Sequence, residues 1–368
     1  MLEKVDNLSD SNRRRFDEII DVRSPSEFAE DHIPGAVNLP VLSDEQRHEV
    51  GTIYCQQSRH EARRIGAAYV TANISEFLHG HFAQKSADYC PLIYCWRGGM
   101  RSRSLATILN NVGWYTKVVD GGYRRWRQTV VNTLRESELQ HRLILIDGQT
   151  GANKTKILSK LATQGHQTLD LEKLAKHRGS VFGSYPDVKQ PSQKYFESLI
   201  HSELERFDTR QAVFVEAESP KIGRRAIPTA LVNKMRCSPR IEIRADAKVR
   251  ASNLIDCYAD LIAEPEKIRD ALDYLRPYHA SKLIQRWLEF VAQQRFETLA
   301  LELIEAHYDP CYERQRRKHQ EQTTDIIELS SLEDPALDNA AQQIADISAA
   351  FAAQEHSGAS TSAQKVYA

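Results

Sequence analysis

The sequence predicts an α/β protein in which parallel sheets form two successive domains, followed by a helical region. Three observations support this prediction: short apolar runs recur along the chain, helical stretches separate them, and a polar segment at 135–142 divides them into two groups. Runs this short, without polar alternation, are typical of strands buried on both faces of a parallel sheet. Their alternation with helices is typical of α/β architecture.

The expected strands are Ile19–Val22, Ala36–Leu39, Leu92–Cys95 and Val118–Val119 in the first group, then Leu143–Ile146, Ala212–Val215 and Ile241–Ile243 in the second. Helices are expected between them, for example over Arg101–Asn111, Thr155–Gln164 and Ser192–Phe207. After Ala245 the pattern becomes helical, and the final fifty or so residues become poor in aromatics and rich in Ala, Gln and Ser. We therefore predict one domain at 12–135, a second at 136–320 with a helical extension, and an acidic, disordered tail at 321–368.

Composition narrows the class of protein. The chain has 49 basic and 50 acidic residues, and 41% of it is hydrophobic, which is ordinary for a globular protein. No apolar run approaches the length of a membrane span, and the N-terminus lacks the apolar stretch of a secretory signal. None of the six cysteines forms a C-x-x-C pair, so we expect reduced thiols, a cytoplasmic protein and no membrane partner. Acidic residues are concentrated after residue 320, which leaves the preceding part net positive and permits binding of a polyanion such as RNA.

A cysteine loop lies between the third expected strand and the helix after it. Cys95 ends the strand, and Gly98 and Gly99 allow the backbone to curl so that several N–H groups point at one spot. With Arg101 and the helix N-terminus, these groups should stabilise a thiolate or a bound oxyanion. We predict that Cys95 is catalytic rather than a buried structural thiol, and that Arg97, Gly98, Gly99 and Arg101 form an oxyanion cradle.

Two further segments flank this loop in the sequence. Asp21–Phe28 and His32–Ala36 have the patterns D-x-R-x-x-x-E-F and H-I-P-G-A, and Gly121–Trp126 has G-G-x-x-x-W. In this order they resemble the rhodanese (sulfurtransferase) domain over residues 15–135. The loop is one residue longer than is common there, and its C-x5-R length is that of cysteine phosphatases. The longer loop therefore suggests an oxyanion larger than a bare sulfur, and phosphatase activity remains an alternative.

A phosphate-binding loop is predicted after the first strand of the second domain. Residues 148–155 match G-x-x-x-x-G-K-[ST] except that Asn153 occupies the second glycine position, and asparagine is the non-glycine residue best able to adopt a left-handed backbone. A strand before and a helix after are the context of a P-loop. Gly148, Gly151, Lys154 and Thr155 would bind a diphosphate, with Thr155 facing Mg²⁺ if one is used.

An acid also follows the strand at 212–215, where P-loop folds place a metal-facing carboxylate. Glu216 or Glu218 would fill that role, or either would pair with Lys221 or Arg224. Cysteine and histidine spacing predicts no metal site. We expect no tightly bound cofactor, with Mg²⁺ as the one ion the loop would use.

Longer strings of sequence narrow the family. Taken together they resemble the bacterial tRNA 2-selenouridine synthase family, over about residues 15–318: Tyr94–Ser102, Leu169–Glu172, His177–Gly183, Gln190–Glu197, Val215–Ser219, Lys221–Gly223 and His307–Pro310. The resemblance implies that geranyl diphosphate first alkylates the sulfur of 2-thiouridine at the tRNA wobble position. Selenium from selenophosphate then replaces the S-geranyl group, with Cys95 carrying selenium as a selenylsulfide.

The same resemblance implies two partners, tRNA and the synthase that supplies selenophosphate. We expect Arg178, Arg224, Arg225 and the basic run at 314–318 to contact tRNA phosphates. Two other functions stay open from the sequence. One is a rhodanese-type sulfurtransferase coupled to a P-loop NTPase, and the other is a Cys-dependent phosphatase or a non-catalytic binder that uses the same cradle.

Overall fold

The computed structural model describes residues 2–316 and 323–363, with side chains described to 314 and over 323–351. The chain divides into two compact units. Unit 1 comprises Met1–Ser137 and Ser192–Arg206, and unit 2 comprises Glu138–Pro191 and Phe207–Ala368. The change of unit at 137/138 falls beside the predicted boundary at 135/136, but residues 192–206, which lie inside the predicted second domain, belong to unit 1.

The strands of unit 1 are β1 (Glu3–Val5), β2 (Glu18–Asp21), β3 (Val37–Asn38), β4 (Pro91–Tyr94) and β5 (Lys117–Val119). They form one parallel sheet in the order β1-β5-β4-β2-β3. The helices of the first half are α1 (Asp10–Arg13), α2 (Pro25–Glu30), α3 (Asp44–Gln56), α4 (Arg59–His79), α5 (Met100–Val112) and α6 (Gly122–Val131), followed by a π-helical turn at Asn132–Glu136. All four residues of β4 are buried, as is typical of a central strand in a parallel sheet.

The strands of unit 2 are β6 (Arg142–Gly148), β7 (Gln167–Leu169), β8 (Ala212–Glu216), β9 (Lys221–Ile222), β10 (Arg225–Ala226), β11 (Arg240–Ala245) and β12 (Thr323–Leu329). Five of them form a second parallel sheet in the order β12-β11-β6-β8-β7, and β9 and β10 form a short antiparallel ribbon. The fold class predicted from the sequence is therefore confirmed in both units.

The helices of the second half are α7 (Lys154–Thr163), α8 (Leu171–Ala175), α9 (Gln193–Leu204), α10 (Thr229–Arg236), α11 (Ala247–Cys257), α12 (Ala259–Ile262), α13 (Pro265–Asp273), α14 (Ser281–Ala292), α15 (Phe296–Leu303), α16 (Asp309–Arg316) and α17 (Asp334–Ala363). A 3₁₀ turn at Arg276–Tyr278 and a π-helical turn at Ile304–Tyr308 interrupt the series. In the described part of the chain, no helix is both long enough and apolar enough to cross a bilayer.

Helix α9 is part of the core of unit 1 although it follows the phosphate loop in sequence. Trp126 donates its indole N–H to Ser198 Oγ at 3.1 Å, and Arg13 forms an ion pair with Glu205 at 2.8 Å. Glu197, which is nearly fully buried, is paired with Arg127 and Arg135. A buried carboxylate with two cationic partners is costly to leave unpaired, so these contacts fix the helix on this unit.

The C-terminal segment differs from the prediction of disorder at 321–368 over residues 323–351. Strand β12 pairs in parallel with β11, and Leu337, Ala340, Ala341 and Ile344 of α17 are buried against the core of unit 2. The apolar side chains recur at helical spacing, which gives α17 a buried face although Phe351 is its one aromatic residue. Low aromatic content and high acidity concealed this amphipathic pattern.

Candidate active site

The first candidate centre is the loop between β4 and α5. Cys95 directly follows β4 and is only 3% exposed, at the edge of the unit 1 core. Its Sγ accepts a hydrogen bond from the Gly99 backbone N–H at 3.2 Å and lies 3.2 Å from Ser102 Oγ. Ser102 is fully buried in the first turn of α5 and was not among the predicted site residues. The thiol is therefore held at the N-terminus of a helix, where a negative charge is stabilised.

The glycines before Trp126 shape this loop. Gly122 has φ 60°, and a Cβ at that position would lie 2.2 Å from the carbonyl oxygen of Cys95 and 2.6 Å from the nitrogen of Gly98. The N–H of Tyr123 donates to the Cys95 carbonyl at 2.8 Å. The loop thus rests directly on the backbone at the start of α6, which explains why the G-G-x-x-x-W motif accompanies the cysteine.

The two arginines of the loop have different environments. Arg101 forms an ion pair with Glu27 at 2.8 Å, and its side chain is 17% exposed. Burial alone would raise the pKa of Glu27, but the Arg101 guanidinium outweighs it and lowers that pKa. Arg97 is exposed, as are Trp96 and Met100, which gives the loop a partly apolar rim. The predicted cradle residues are therefore adjacent in space, with Arg101 oriented by the acid of the D-x-R-x-x-x-E motif.

Cys90 is the nearest cysteine in sequence to Cys95 but lies beyond the opposite end of β4. At about 3.3 Å per residue, a strand of this length separates the two thiols by well over a disulfide distance. Burial raises the pKa of the Cys90 thiol. Cys90 therefore cannot resolve a species bound to Cys95 without rearrangement of the strand.

The second candidate centre is the loop between β6 and α7. Asn153 has φ 59° and ψ 31°, the left-handed conformation expected of an asparagine at a glycine position. Its side chain exchanges two hydrogen bonds with Asn253 of α11, at 2.7 and 2.8 Å, and donates a third to the Leu332 carbonyl at 3.3 Å. The amide that replaces the usual glycine therefore ties the loop to α11 and to the chain after β12.

The predicted phosphate ligands line one pocket. Gly148, Gly151, Lys154 and Thr155 all face it. Lys154 Nζ donates to the Gly148 carbonyl at 2.8 Å, so the ammonium lies over the loop. Backbone N–H groups at a helix N-terminus together with an ammonium group are suited to binding phosphate oxygens.

Three carboxylates stand opposite the loop. Oxygens of Glu172, Glu216 and Glu218 lie within 4.8 Å of one another. Burial and repulsion between neighbouring acids raise the pKa of these groups, against the effect of the Lys154 ammonium. The backbone of Gly179 packs directly against the cluster and leaves no room for a side chain, since a Cβ there would lie 2.4 Å from Glu172 Oε1.

Hard oxygen donors in this number suit a divalent cation. Glu216 Oε1 is buried and has no hydrogen-bond partner among the described residues, and neither Lys221 nor Arg224 forms an ion pair with Glu216 there. An orphaned carboxylate oxygen of this kind is costly unless a ligand satisfies it. The residues present therefore fit a metal-facing role for Glu216, with Glu172 and Glu218 beside it.

Arg178 forms part of the pocket wall. Its Nη2 is paired with Asp260 at 2.7 Å, and its guanidinium lies 4.2 Å from the ring of Tyr185 and 4.8 Å from that of Tyr258. Its Nη1 is buried and has no partner among the described residues. A fixed guanidinium with a free donor is suited to an anion in the pocket.

Two protein families account for most of the chain. Residues 1–129 match the rhodanese-like domain, and residues 141–273 match the tRNA 2-selenouridine synthase AAA domain. A tRNA 2-selenouridine synthase from Shewanella denitrificans is 30% identical over 332 residues, which cover 82% of this chain and 89% of the relative. The chain belongs to the tRNA 2-selenouridine synthase family.

Other members of the family agree with this assignment. The tRNA 2-selenouridine synthase of Nitrosomonas europaea is 34% identical over 267 residues, covering 69% of this chain and 67% of the relative. That of Bdellovibrio bacteriovorus is 35% identical over 247 residues, covering 65% and 64%. The resemblance to the tRNA 2-selenouridine synthase family is thereby confirmed. The structure shows where the sequence segments that carry this resemblance lie.

Those family strings meet around the phosphate loop. Glu172, Arg178 and Glu218 belong to three different strings and line the same pocket. A fourth string supplies Asp309, which holds Arg250 through two hydrogen bonds of 2.8 and 3.0 Å. Arg250 in turn donates to the Thr150 carbonyl at 3.1 Å, so it braces the loop from behind.

The remaining basic residues that are expected to contact tRNA phosphates differ in their exposure to solvent. Arg224 is exposed beside the β9–β10 ribbon, and Arg225 is partly buried. Arg314 is exposed and donates to the Pro310 carbonyl at 3.1 Å. Residues 317 and 318 lie outside the described residues, and the contacts of this run with tRNA stay a prediction.

Proposed function

We propose that this chain converts 2-thiouridine at the wobble position of tRNA to 2-selenouridine through an S-geranyl intermediate, using geranyl diphosphate and selenophosphate. Membership of the family supports a tRNA-modifying enzyme. The observation that supports the proposal is that one chain contains both a loop of the P-loop pattern that lines a pocket and a thiol held at a helix N-terminus. Two steps with different leaving groups need two such centres.

The first step belongs to the phosphate loop. The sulfur of 2-thiouridine attacks C1 of geranyl diphosphate, the carbon–oxygen bond breaks, and diphosphate leaves. Negative charge grows on the diphosphate oxygens in this step, and the backbone N–H groups of the loop, Lys154 and the free donor of Arg178 would stabilise it. We assign Arg178 to this charge rather than to tRNA phosphates.

A divalent cation such as Mg²⁺ would add to this stabilisation by neutralising diphosphate oxygens. Thr155, Glu172, Glu216 and Glu218 would hold it, since they are the oxygen donors beside the loop. The carboxylates would then be ionised, because a bound cation favours their charged form.

The second step exchanges sulfur for selenium. The phosphorus–selenium bond of selenophosphate breaks, hydroselenide adds to C2 of the uracil ring, and geranylthiol leaves. Selenium keeps its oxidation level throughout, so no oxidant is required. A selenylsulfide on Cys95 would require a two-electron oxidant, and we therefore assign the Cys95 thiolate to attack on phosphorus, with hydroselenide as the leaving group and water later removing the phosphoryl group.

The substrates define the partners. tRNA carrying 2-thiouridine is the acceptor, and a synthase would supply selenophosphate. All six cysteines are free, which suits the reducing cytoplasm that we propose as the location.

Nucleoside mass spectrometry tests the proposal. Full-length protein is incubated with 2-thiouridine tRNA, geranyl diphosphate and selenophosphate, and wild type is compared with Cys95→Ala and Lys154→Ala. We expect 2-selenouridine from wild type, accumulation of S-geranyl-2-thiouridine with Cys95→Ala, and neither product with Lys154→Ala.

Matched controls separate these roles from general damage. Cys55→Ala and Lys173→Ala change exposed residues of the same types and should behave as wild type. Unchanged tRNA with folded wild type would refute the proposal. Steady ATP hydrolysis in that case would favour the sulfurtransferase–NTPase alternative, and Cys95-dependent hydrolysis of aryl phosphates would favour the phosphatase.

A further inference from the structure

The rim of the Cys95 loop exposes two large apolar side chains at the carboxyl end of the unit 1 sheet. Trp96 directly follows Cys95 and is 39% exposed, and Met100, at the start of α5, is 65% exposed. Cys95 itself is nearly fully buried, so a macromolecular substrate meets the rim before it meets the thiol. Apolar surface beside a reactive group is typical of a binding surface.

The indole of Trp96 is held in place from the protein side. Its ring centroid lies 5.3 Å from that of Tyr123, with the two planes 37° apart. Tyr123 is buried: its hydroxyl donates to Asp31 Oδ2 at 2.7 Å, and the Arg23 guanidinium lies 3.9 Å from its ring. The Trp96 carbonyl accepts a hydrogen bond from the Arg124 backbone N–H at 3.1 Å. These contacts fix the indole while part of it stays open to solvent, so it forms a platform before any ligand arrives.

Cations lie next to this platform on the two helices that follow β4 and β5. Arg103 of α5 and Arg124 of α6 are exposed. Lys4 forms an ion pair with Asp120 at 2.7 Å, and Arg125 lies 3.7 Å from the same carboxylate. The hydrogen bond from Lys4, together with the charges of Arg125 and Arg103, lowers the pKa of Asp120. Three cations therefore share one acid, and positive charge is in excess beside the rim.

An exposed aromatic ring flanked by arginines suits single-stranded RNA, in which unpaired bases stack on the ring and phosphates contact the cations. The second step of the proposed function has a further requirement, since hydroselenide released at Cys95 must reach C2 of the wobble base. Trp96 and Cys95 are consecutive residues, whose Cα atoms are about 3.8 Å apart. A base stacked on Trp96 is thus brought to the loop at which selenium is released.

We propose that this face of unit 1 binds the anticodon loop during the second step, with the wobble base stacked on Trp96 and neighbouring phosphates held by Arg103 and Arg124. The inference rests on the proposed function, because it locates the acceptor of the selenium. It adds a tRNA surface to the basic residues expected from the sequence, which do not include Arg103 or Arg124.

Fluorescence anisotropy with two RNA hairpins of the anticodon arm tests the stacking. One hairpin carries S-geranyl-2-thiouridine at the wobble position, and the other lacks the base there. Full-length wild type should bind the first hairpin about 5- to 150-fold more tightly, the range of base–aromatic stacking. Trp96→Ala should lose most of this preference, and Trp96→Phe should recover most of it.

The hairpin without the base controls for damage to the loop. Trp96→Ala should bind it as wild type does, because the phosphate contacts persist, and this result also shows that the variant is folded. Tyr115→Ala changes another exposed aromatic residue, which precedes β5 and so lies at the opposite edge of the parallel sheet. That variant should keep the full preference for the hairpin with the base.

The dependence of affinity on salt tests the phosphate contacts. Arg103→Ala and Arg124→Ala should each reduce the slope of log affinity against log salt concentration by about 0.7, the value for one contact to a single strand. Arg15→Ala, at an exposed arginine before β2 on the opposite edge of the sheet, should leave the slope unchanged.

The outcomes separate this inference from the proposed function. Equal affinity of wild type for the two hairpins, an unaltered preference in Trp96→Ala, or an unchanged slope in both arginine variants overturns the assignment of this face. Synthesis of 2-selenouridine by the same wild-type protein would then leave the proposed function intact. If Trp96→Ala keeps its preference but loses association with the synthase that supplies selenophosphate, the rim binds protein rather than RNA. Unchanged tRNA with folded wild type refutes the proposed function and this inference with it.

Discussion

Restoring the usual glycine of the phosphate loop should destabilise this protein. Asn153 exchanges two hydrogen bonds with Asn253 and donates a third to Leu332, at distances of 2.7, 2.8 and 3.3 Å. Both asparagines are about nine-tenths buried. Asn153→Gly keeps the backbone conformation available but removes all three bonds.

The expected loss follows from these contacts. Three hydrogen bonds at about 1 kcal/mol each contribute about 3 kcal/mol. The substitution stabilises the folded loop by about 1 kcal/mol, because glycine adopts the left-handed backbone without strain. It also destabilises the folded loop by roughly 0.5–1 kcal/mol, because glycine has more conformational freedom in the unfolded chain. The free energy of opening around the loop should therefore fall by about 2–3 kcal/mol, and by about 4 kcal/mol in Asn153→Ala, which adds strain.

Hydrogen exchange with peptide resolution measures this change. Peptides of α7 and α11 should exchange faster in Asn153→Gly, while peptides of unit 1 serve as an internal control. Asn253→Ala and the double variant complete a cycle in which the coupling energy should be at least about 1 kcal/mol. Wild-type exchange in Asn153→Gly, or additive effects in the cycle, would refute the role of the asparagine pair.

Gly122→Ala should abolish the exchange of sulfur for selenium, because its Cβ would lie 2.2 Å from the Cys95 carbonyl oxygen. Gly113 also has a positive φ, but a Cβ there would meet no atom within 4 Å, so Gly113→Ala should retain this step. Equal losses of 2-selenouridine in the two variants, measured by nucleoside mass spectrometry, would contradict this packing argument. Burial raises the pKa of Glu216 from 4.5 to about 7, so the folded protein keeps a proton that the unfolded chain releases. Without divalent cations, the free energy of unfolding measured in urea should therefore fall as pH rises from 4.5 to about 7. An equal dependence of this free energy on pH in Glu216→Gln would exclude the Glu216 carboxyl as the cause. Arg178→Ala should weaken inorganic diphosphate binding about 10- to 100-fold, with partial recovery in Arg178→Lys, and unchanged affinity in titration would remove this residue from the site. Thiophosphate, a surrogate for selenophosphate, should leave a phosphoryl group on Cys95, and a persulfide in the peptide mass spectrum would disprove attack on phosphorus.

Two errors of the sequence-based prediction share one origin. Acidity and a low content of aromatic residues predict a disordered tail, yet β12 and α17 complete the second sheet and its core. Helix α9 was placed with its neighbours in sequence, yet Trp126, Arg127 and Arg13 hold it in unit 1. In both cases a segment obtains its stability from partners far away along the chain, and local composition does not report them.

The sequence by itself determined the α/β class, the two loops and the family, because each depends on consecutive residues whose backbone and side chains act together. Cys95 with its glycines and Gly148–Thr155 are such local devices. Only the tertiary structure decided that Glu172 joins Glu216 and Glu218, and that Arg178 lines the phosphate pocket. The phosphate pocket brings together residues that lie more than a hundred positions apart in the sequence. Their proximity depends on how the sheet and helices pack rather than on any pattern of neighbouring side chains.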